Sequence, residues 1–99
     1  MDELQKFRAK LWLWKAGAAW HFLTLPKEMS TRIRFFAASP THGFGSVRVE
    51  ATIGKTTWKT SLFPSKESKA YILPVKADVR RSEKLLVGKF AQVTLRVMN

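Results

Sequence analysis

Between Phe7 and Trp14 the side chains alternate, with Phe7, Ala9, Leu11 and Leu13 on one face and Arg8, Lys10, Trp12 and Trp14 on the other. This two-residue period predicts a strand. Lysine stems lying across the indoles give its second face partial cover. Ala16-Gly17-Ala18-Ala19 reads as a turn into a second strand over 20–25, which Pro26 ends. Proline suits the first position of a helix, and Met29, Ile33 and Phe36 recur at helical spacing. A short amphipathic helix over 26–37 is therefore expected, packed on a barrel. Ser39-Pro40-Thr41-His42-Gly43 breaks it.

The clearest local signal is a hairpin over 46–63. Gly54-Lys55 offers a two-residue loop of the glycine-first kind. That loop sets Ile53 opposite Thr56, Ala51 opposite Trp58, Val49 opposite Thr60 and Val47 opposite Leu62. The other face pairs Glu50 with Lys59 and Thr52 with Thr57, and opposite charges and facing hydroxyls each favour this register. A polar loop over 64–69 follows, then an extended run over 70–73. Pro74 is expected to open a second helix with Val75, Val79, Ser82 and Leu86 as its buried stripe and Gly88 at its close. The last strand, over 90–98, turns Ala91, Val93, Leu95 and Val97 inward.

A shift of fifty residues superposes Leu23 on Leu73, Leu25 on Val75, Glu28 on Asp78, Met29 on Val79 and Phe35-Phe36 on Leu85-Leu86. A unit of strand, short helix and strand thus recurs in hydrophobic phase. Pro26 departs from the pattern, since it falls on Lys76 rather than on Pro74.

The second unit, from Val75-Lys76-Ala77-Asp78-Val79-Arg80 through Leu85-x-x-Gly88 to Val93-Thr94-Leu95, resembles the swapped-hairpin half of AbrB/MazE-type transcription factors. In those proteins two chains interlock into one double-split β-barrel. A single chain with two such units would form a pseudo-dimer in one polypeptide.

A resemblance covering almost the whole chain runs through Phe7-x-Ala-x-Leu-Trp12 and Trp20-His-Phe-Leu-Thr-Leu-Pro26. It continues in Gly43-Phe-Gly-Ser-Val-Arg-Val-Glu-Ala-Thr-Ile-Gly54, Thr57-Trp-Lys-Thr-Ser-Leu-Phe-Pro64 and Tyr71-Ile-Leu-Pro-Val-Lys76. These motifs resemble the DUF1905 family, an uncharacterised bacterial group of small double-split β-barrels, some fused to a bacteriocin-protection (YdeI/OmpD-associated) domain. The resemblance implies a mainly β fold: a small closed double-split barrel of about six or seven strands with two short helices and a pseudo-two-fold repeat. It implies no activity and no catalytic residue. The expectation is one domain over 1–99 without the fused partner.

Composition narrows the function classes. The chain has 99 residues, 18 Lys and Arg against 7 Asp and Glu, a net charge of +11, and 45% hydrophobic residues. A chain this short buries only about 60% of its unfolded surface. An enclosed multi-domain enzyme site is not expected. The charge excess is shared almost equally between residues 1–49 and 50–99, so it belongs to the folded surface and not to a tail. With no Cys, disulfides and thiolate zinc sites are excluded. The apolar runs are too short for a transmembrane helix and the N-terminus lacks a secretory apolar region. A cytoplasmic location is expected.

Catalysis is not expected. His21, His42, Glu50, Asp78 and Ser46 form no nucleophile elbow, carboxylate pair or metal spacing. Glu50 has Lys59 as a structural partner, and Asp78 suits the start of a helix. No cofactor or metal is expected. The candidate binding residues fall in three groups. Trp12 and Trp14, with Arg48, Lys59 and His21, combine stacking surfaces with cations, as nucleic-acid binding requires; set against that, the tryptophans can be packed beneath the first helix. The Gly-rich stretch containing His42, Gly43, Gly45 and Arg48 can form an anion nest, though a barrel-corner role explains its glycines better. Lys76, Arg80, Arg81 and Lys84 form a basic run, with Arg80 and Lys84 four apart on one helix face; a solvated face is the plain alternative.

The leading expectation is a non-enzymatic binding module for an anionic partner, nucleic acid first. The rival is an accessory domain that docks a small ligand or a protein, with its charge serving solubility. The expected oligomeric state is a monomer or weak homodimer.

Overall fold

The computed structural model describes residues 4–15, 19–36 and 45–98. Its strands are β1 (Leu4–Lys10), β2 (Trp12–Trp14), β3 (Trp20–Thr24), β4 (Val47–Ile53), β5 (Thr56–Ser65), β6 (Ala70–Pro74) and β7 (Phe90–Val97). Its helices are α1 (Lys27–Phe36), after β3, and α2 (Ala77–Glu83), after β6. All strand pairs are antiparallel, in the order β1-β7-β4-β5-β6-β3-β2.

The sheet curls into a half-barrel, and the expected closed barrel is not formed. Its ladder ends at β1 on one side and β2 on the other. The expected continuous first strand is interrupted at Leu11. There the backbone leaves the ladder and bonds the turn ahead of β7: Leu11 N–H donates to Lys89 O at 2.9 Å, and Gly88 N–H donates to Leu11 O at 2.8 Å. Leu11 itself is buried. Phe7, ahead of the break, and Leu11, at it, are both in the core, whereas Leu13 beyond it is half-buried.

The β4–β5 hairpin has the register that its turn residues predict, from Ile53 opposite Thr56 to Val47 opposite Leu62. Gly54 has a φ of 58°, a left-handed value that glycine adopts without steric cost. On the outer face the Thr52 and Thr57 hydroxyls meet at 2.8 Å. The Glu50 carboxylate, expected to pair with Lys59, instead lies 3.7 Å from Arg96, its partner on β7. Being held between two strands, Glu50 has a cation opposite it on each.

The inner faces supply Val47, Val49, Ala51, Ile53, Trp58 and Leu62 from the hairpin, and Ala91, Val93, Leu95 and Val97 from β7. Leu23, Tyr71, Leu73 and Val75 join them, with Met29 and Ile33 of α1 and Val79 of α2. Ser30 of α1 is fully buried, and its Oγ accepts the Tyr71 N–H at 3.0 Å.

β5 runs beyond the expected loop boundary, since Pro64 and Ser65 still pair with Tyr71 and Ala70. Pro74 does not open a helix. It pairs with Phe22 as the last residue of β6, and Val75 N–H continues the ladder to His21 O at 2.9 Å. Lys76 is the N-cap of α2. The helix ends early, with Lys84 in the left-handed conformation at φ 54°. The stripe expected from Val75 to Leu86 therefore loses phase: Val75 and Val79 are buried, Ser82 and Leu86 are exposed, and Leu85 packs against the core.

The fifty-residue offset is not realised as a repeat of the whole fold. β5 is one ten-residue strand, the segment fifty residues earlier is broken at Leu11, and the helices have ten and seven residues. Its trace is local: Leu23 and Leu73 are direct ladder partners. The Pro26 and Lys76 carbonyls each accept the first helical bond, from Ser30 and Arg80.

Candidate functional site

β5 serves two neighbours in succession. Residues 56–62 pair with β4, whereas only Phe63–Ser65 pair with β6. The two strands therefore diverge beyond Phe63, and a groove of about 460 Å³ opens beside them. One wall carries Arg48, Lys59, Ser61 and Phe63; the other carries Trp20, His21, Pro74, Val75, Lys76 and Arg80.

Alternation explains why Arg48, Ser61, Phe63 and Trp20 face outward. Because Val47, Val49 and Leu62 must enter the core, Arg48, Ser61 and Phe63 emerge on the opposite face. Leu23 and Leu25 likewise turn inward, which sends Phe22 and Trp20 out. Trp20 is 48% exposed and Phe63 is 40% exposed, so each leaves ring surface open at the groove. Trp58, from the inner face, is 7% exposed and forms part of the floor.

The cations are held differently. Arg80 Nε donates to the Val75 carbonyl at 3.2 Å, and Nη1 donates to His21 Nε2 at 3.3 Å. His21 Nδ1 lies 3.0 Å from the Ala19 carbonyl and donates to it, which leaves Nε2 as the acceptor for Arg80. This relay orients the guanidinium at the groove. Arg48 Nη1 donates to Ser61 Oγ at 3.3 Å. Lys59 and Lys76 are exposed. Among the described residues, four cations thus border the groove and no carboxylate lines it. Chemically it offers positive charge, N–H donors and two ring faces.

Of the candidates named from sequence, Arg48, Lys59 and Arg80 come together here, with His21 as the support of Arg80. Trp12 and Trp14 do not join them. They border a separate hollow of about 250 Å³ with Phe22, Pro64, Ser65, Glu67 and Ile72. Trp12 packs on Phe22 with ring centroids 5.2 Å apart, and its indole N–H donates to Thr24 Oγ1 at 2.9 Å. Trp20 stacks on the other side of Phe22, at 6.0 Å and 15°. Lys84 stands beyond the end of α2 beside Arg81, Leu85 and Leu86, so the expected helix face stops one residue short of it. Arg81 pairs with Asp78.

Gly45 adopts a φ of 73° with Pro64 nearby, which fits a corner position, and it does not line the groove. His42 and Gly43 lie outside the described residues. Trp20 and Phe63 are not among the candidate binding residues named from sequence, and Lys76 is named there only in the basic run. The inward demand of Leu23 and Leu62 is the signal that places the first two on the outer surface. Among the described residues no three His, Asp or Glu side chains converge as a metal site would require. No helix among them is long and apolar enough to cross a membrane.

No curated protein matches this chain. A family model described as a domain of unknown function, DUF1905, matches residues 7–95. This match spans nearly all of the half-barrel, both helices and every side chain of the groove, and on that ground the chain belongs to the DUF1905 family.

Proposed function

We propose that this domain is a non-enzymatic binding module for an anionic partner, and that the partner enters the groove between β5 and β6. One observation carries the reading: Arg48, Lys59, Lys76 and Arg80 surround an opening that also exposes Trp20 and Phe63 and, among the described residues, contains no carboxylate. Cations neutralise phosphates, and open ring faces stack on bases. Single-stranded nucleic acid is therefore the first candidate. The net charge of +11 favours encounter with such a polymer. In this reading the protein works in the cytoplasm as a monomer or weak homodimer.

The test is fluorescence anisotropy with short labelled single strands and mixed-sequence duplex. Binding is expected at low salt, with a steep loss as salt rises. Absence of binding at about 50 mM salt overturns the nucleic-acid reading.

A second reading is favoured by the groove's size. About 460 Å³ falls within the range of small-molecule sites. In that case the partner is a compact aromatic anion. A thermal-shift screen of aromatic carboxylates and phosphates separates the two, because a specific ligand raises the melting temperature by mass action.

A further inference from the structure

The turn from Lys84 to Lys89 is fixed in its backbone yet exposes aliphatic side chains. Leu85 N–H donates to Arg80 O at 2.9 Å and Lys89 N–H donates to Leu86 O at 3.0 Å, while Gly88 is tied to Leu11. Gly88, at φ 89°, makes the reversal that this tie requires. Leu85 packs inward, but Leu86 is 64% exposed, Val87 53% and the neighbouring Phe90 48%. Such side chains usually gain by burial, so an ordered turn that presents two of them together is a feature to explain.

Among the described residues, cations predominate around the turn. Lys84 and Lys89 flank the turn and are exposed. The Arg8 guanidinium lies 3.9 Å from the centroid of the Phe90 ring, and the Lys10 ammonium lies 5.4 Å from it. The two carboxylates of α2 have partners: Glu83 accepts the Thr56 hydroxyl at 2.6 Å, and Asp78 pairs with Arg81. Beside the turn, Arg80, Arg81 and Lys84 border a hollow of about 470 Å³ together with Leu85 and Leu86.

We propose that this turn docks the domain on an anionic lipid bilayer, with Leu86 and Val87 entering the headgroup layer and Arg8, Lys10, Lys84 and Lys89 meeting the lipid charges. Interfacial binding needs both a modest apolar insertion and attraction to anionic lipid, and both are present within one turn and its neighbours. A nucleic-acid backbone would use the cations but gives no return for burying Leu86 and Val87, which have no ring face to stack on bases. Leu86 and Val87 do not line the groove, although Arg80 borders both hollows, and the proposal stands whether or not the groove binds a polymer.

The test is co-flotation of the full chain with vesicles of phosphatidylcholine alone or with about 30 mol% phosphatidylserine, near 0.1 M salt. Partition onto the anionic vesicles is expected to be at least about tenfold stronger. The double substitution Leu86→Ser/Val87→Ser leaves the charge unchanged and alters only exposed side chains. It is expected to weaken partition at least about fivefold. The chain has no Cys, so Val87→Cys can carry a single environment-sensitive fluorophore, whose emission is expected to shift to the blue on anionic vesicles. Equal partition by the double variant, or an unshifted label, means charge alone holds the protein and overturns the proposal. Micromolar self-association lost in the double variant overturns it in favour of a second copy as the occupant. Loss of oligonucleotide binding in the double variant, with vesicle partition retained, assigns the turn to nucleic acid and overturns it as well.

Discussion

Tyr71 N–H donates to Ser30 Oγ at 3.0 Å, joining the core-facing side of α1 to β6 where neither residue meets water. The hydroxyl gives a strand amide the partner that another strand would otherwise supply. Helix docking and backbone satisfaction depend on one atom.

Ser30→Ala should therefore cost about 1–3 kcal/mol, because it leaves the Tyr71 amide buried without a partner. Thr31, one position later, is exposed, and its hydroxyl donates to Lys27 O within the helix. Thr31→Ala should change stability by less than about 0.5 kcal/mol. Urea unfolding of the two variants side by side measures the contrast, and equal midpoints would contradict it.

Gly54 tests the docking of α2 on the hairpin. A Cβ at this position would fall inside the van der Waals surface of the Glu83 carboxylate, on a backbone with φ 58°. Gly54→Ala should destabilise by more than about 1 kcal/mol through strain and contact together. Adding Glu83→Ala removes the contact and leaves the strain, so the double variant should cost less than the two single changes summed. A thermodynamic cycle from denaturant melts reads the difference.

Leu23 and Leu73 face one another in the ladder and are both fully buried. Truncating either to Ala should cost about 2–5 kcal/mol, as for other buried leucines. Because the two cavities would share a wall, the double truncation is expected to be non-additive. Calorimetric or denaturant measurement of the four-member cycle checks it. Strict additivity would mean the two sites relax independently.

At the groove, Trp20→Ala should weaken single-strand binding by about 1–3 kcal/mol per stacked base. Arg48→Ala should reduce the salt slope by about one, the contribution of one phosphate contact. Trp14→Ala, in the neighbouring hollow, should leave both unchanged. Titrations at several salt concentrations distinguish stacking from charge, and equal loss in the Trp14 and Trp20 variants would place the partner elsewhere.

Local pattern made much of this architecture legible. Alternation and the Gly54-Lys55 turn specify the β4–β5 register residue by residue, because a slip of one would turn Val47, Val49 and Ala51 to the outside. The groove was only half legible. Arg48, Lys59 and Arg80 carry evident chemistry, but their convergence depends on β5 changing partner near Phe63, a tertiary event without a local mark. Trp12 and Trp14 were attractive by residue type, yet Phe22 and Thr24 engage Trp12 on another part of the sheet. The end of α2 was missed because Leu86 continues the helical spacing in sequence after Lys84 has left the helical conformation.

β1 and β2 are the two outermost strands of the sheet, yet they are one length of chain with only Leu11 between them. One short segment therefore guards both flanks: β1 shields β7, and β2 shields β3. Detaching residues 4–14 would bare two rows of unpaired amides and carbonyls at once, each a template for another chain. The N-terminal segment thus acts as a clasp against aggregation, and a nick or insertion near Leu11 would open both flanks in a single event.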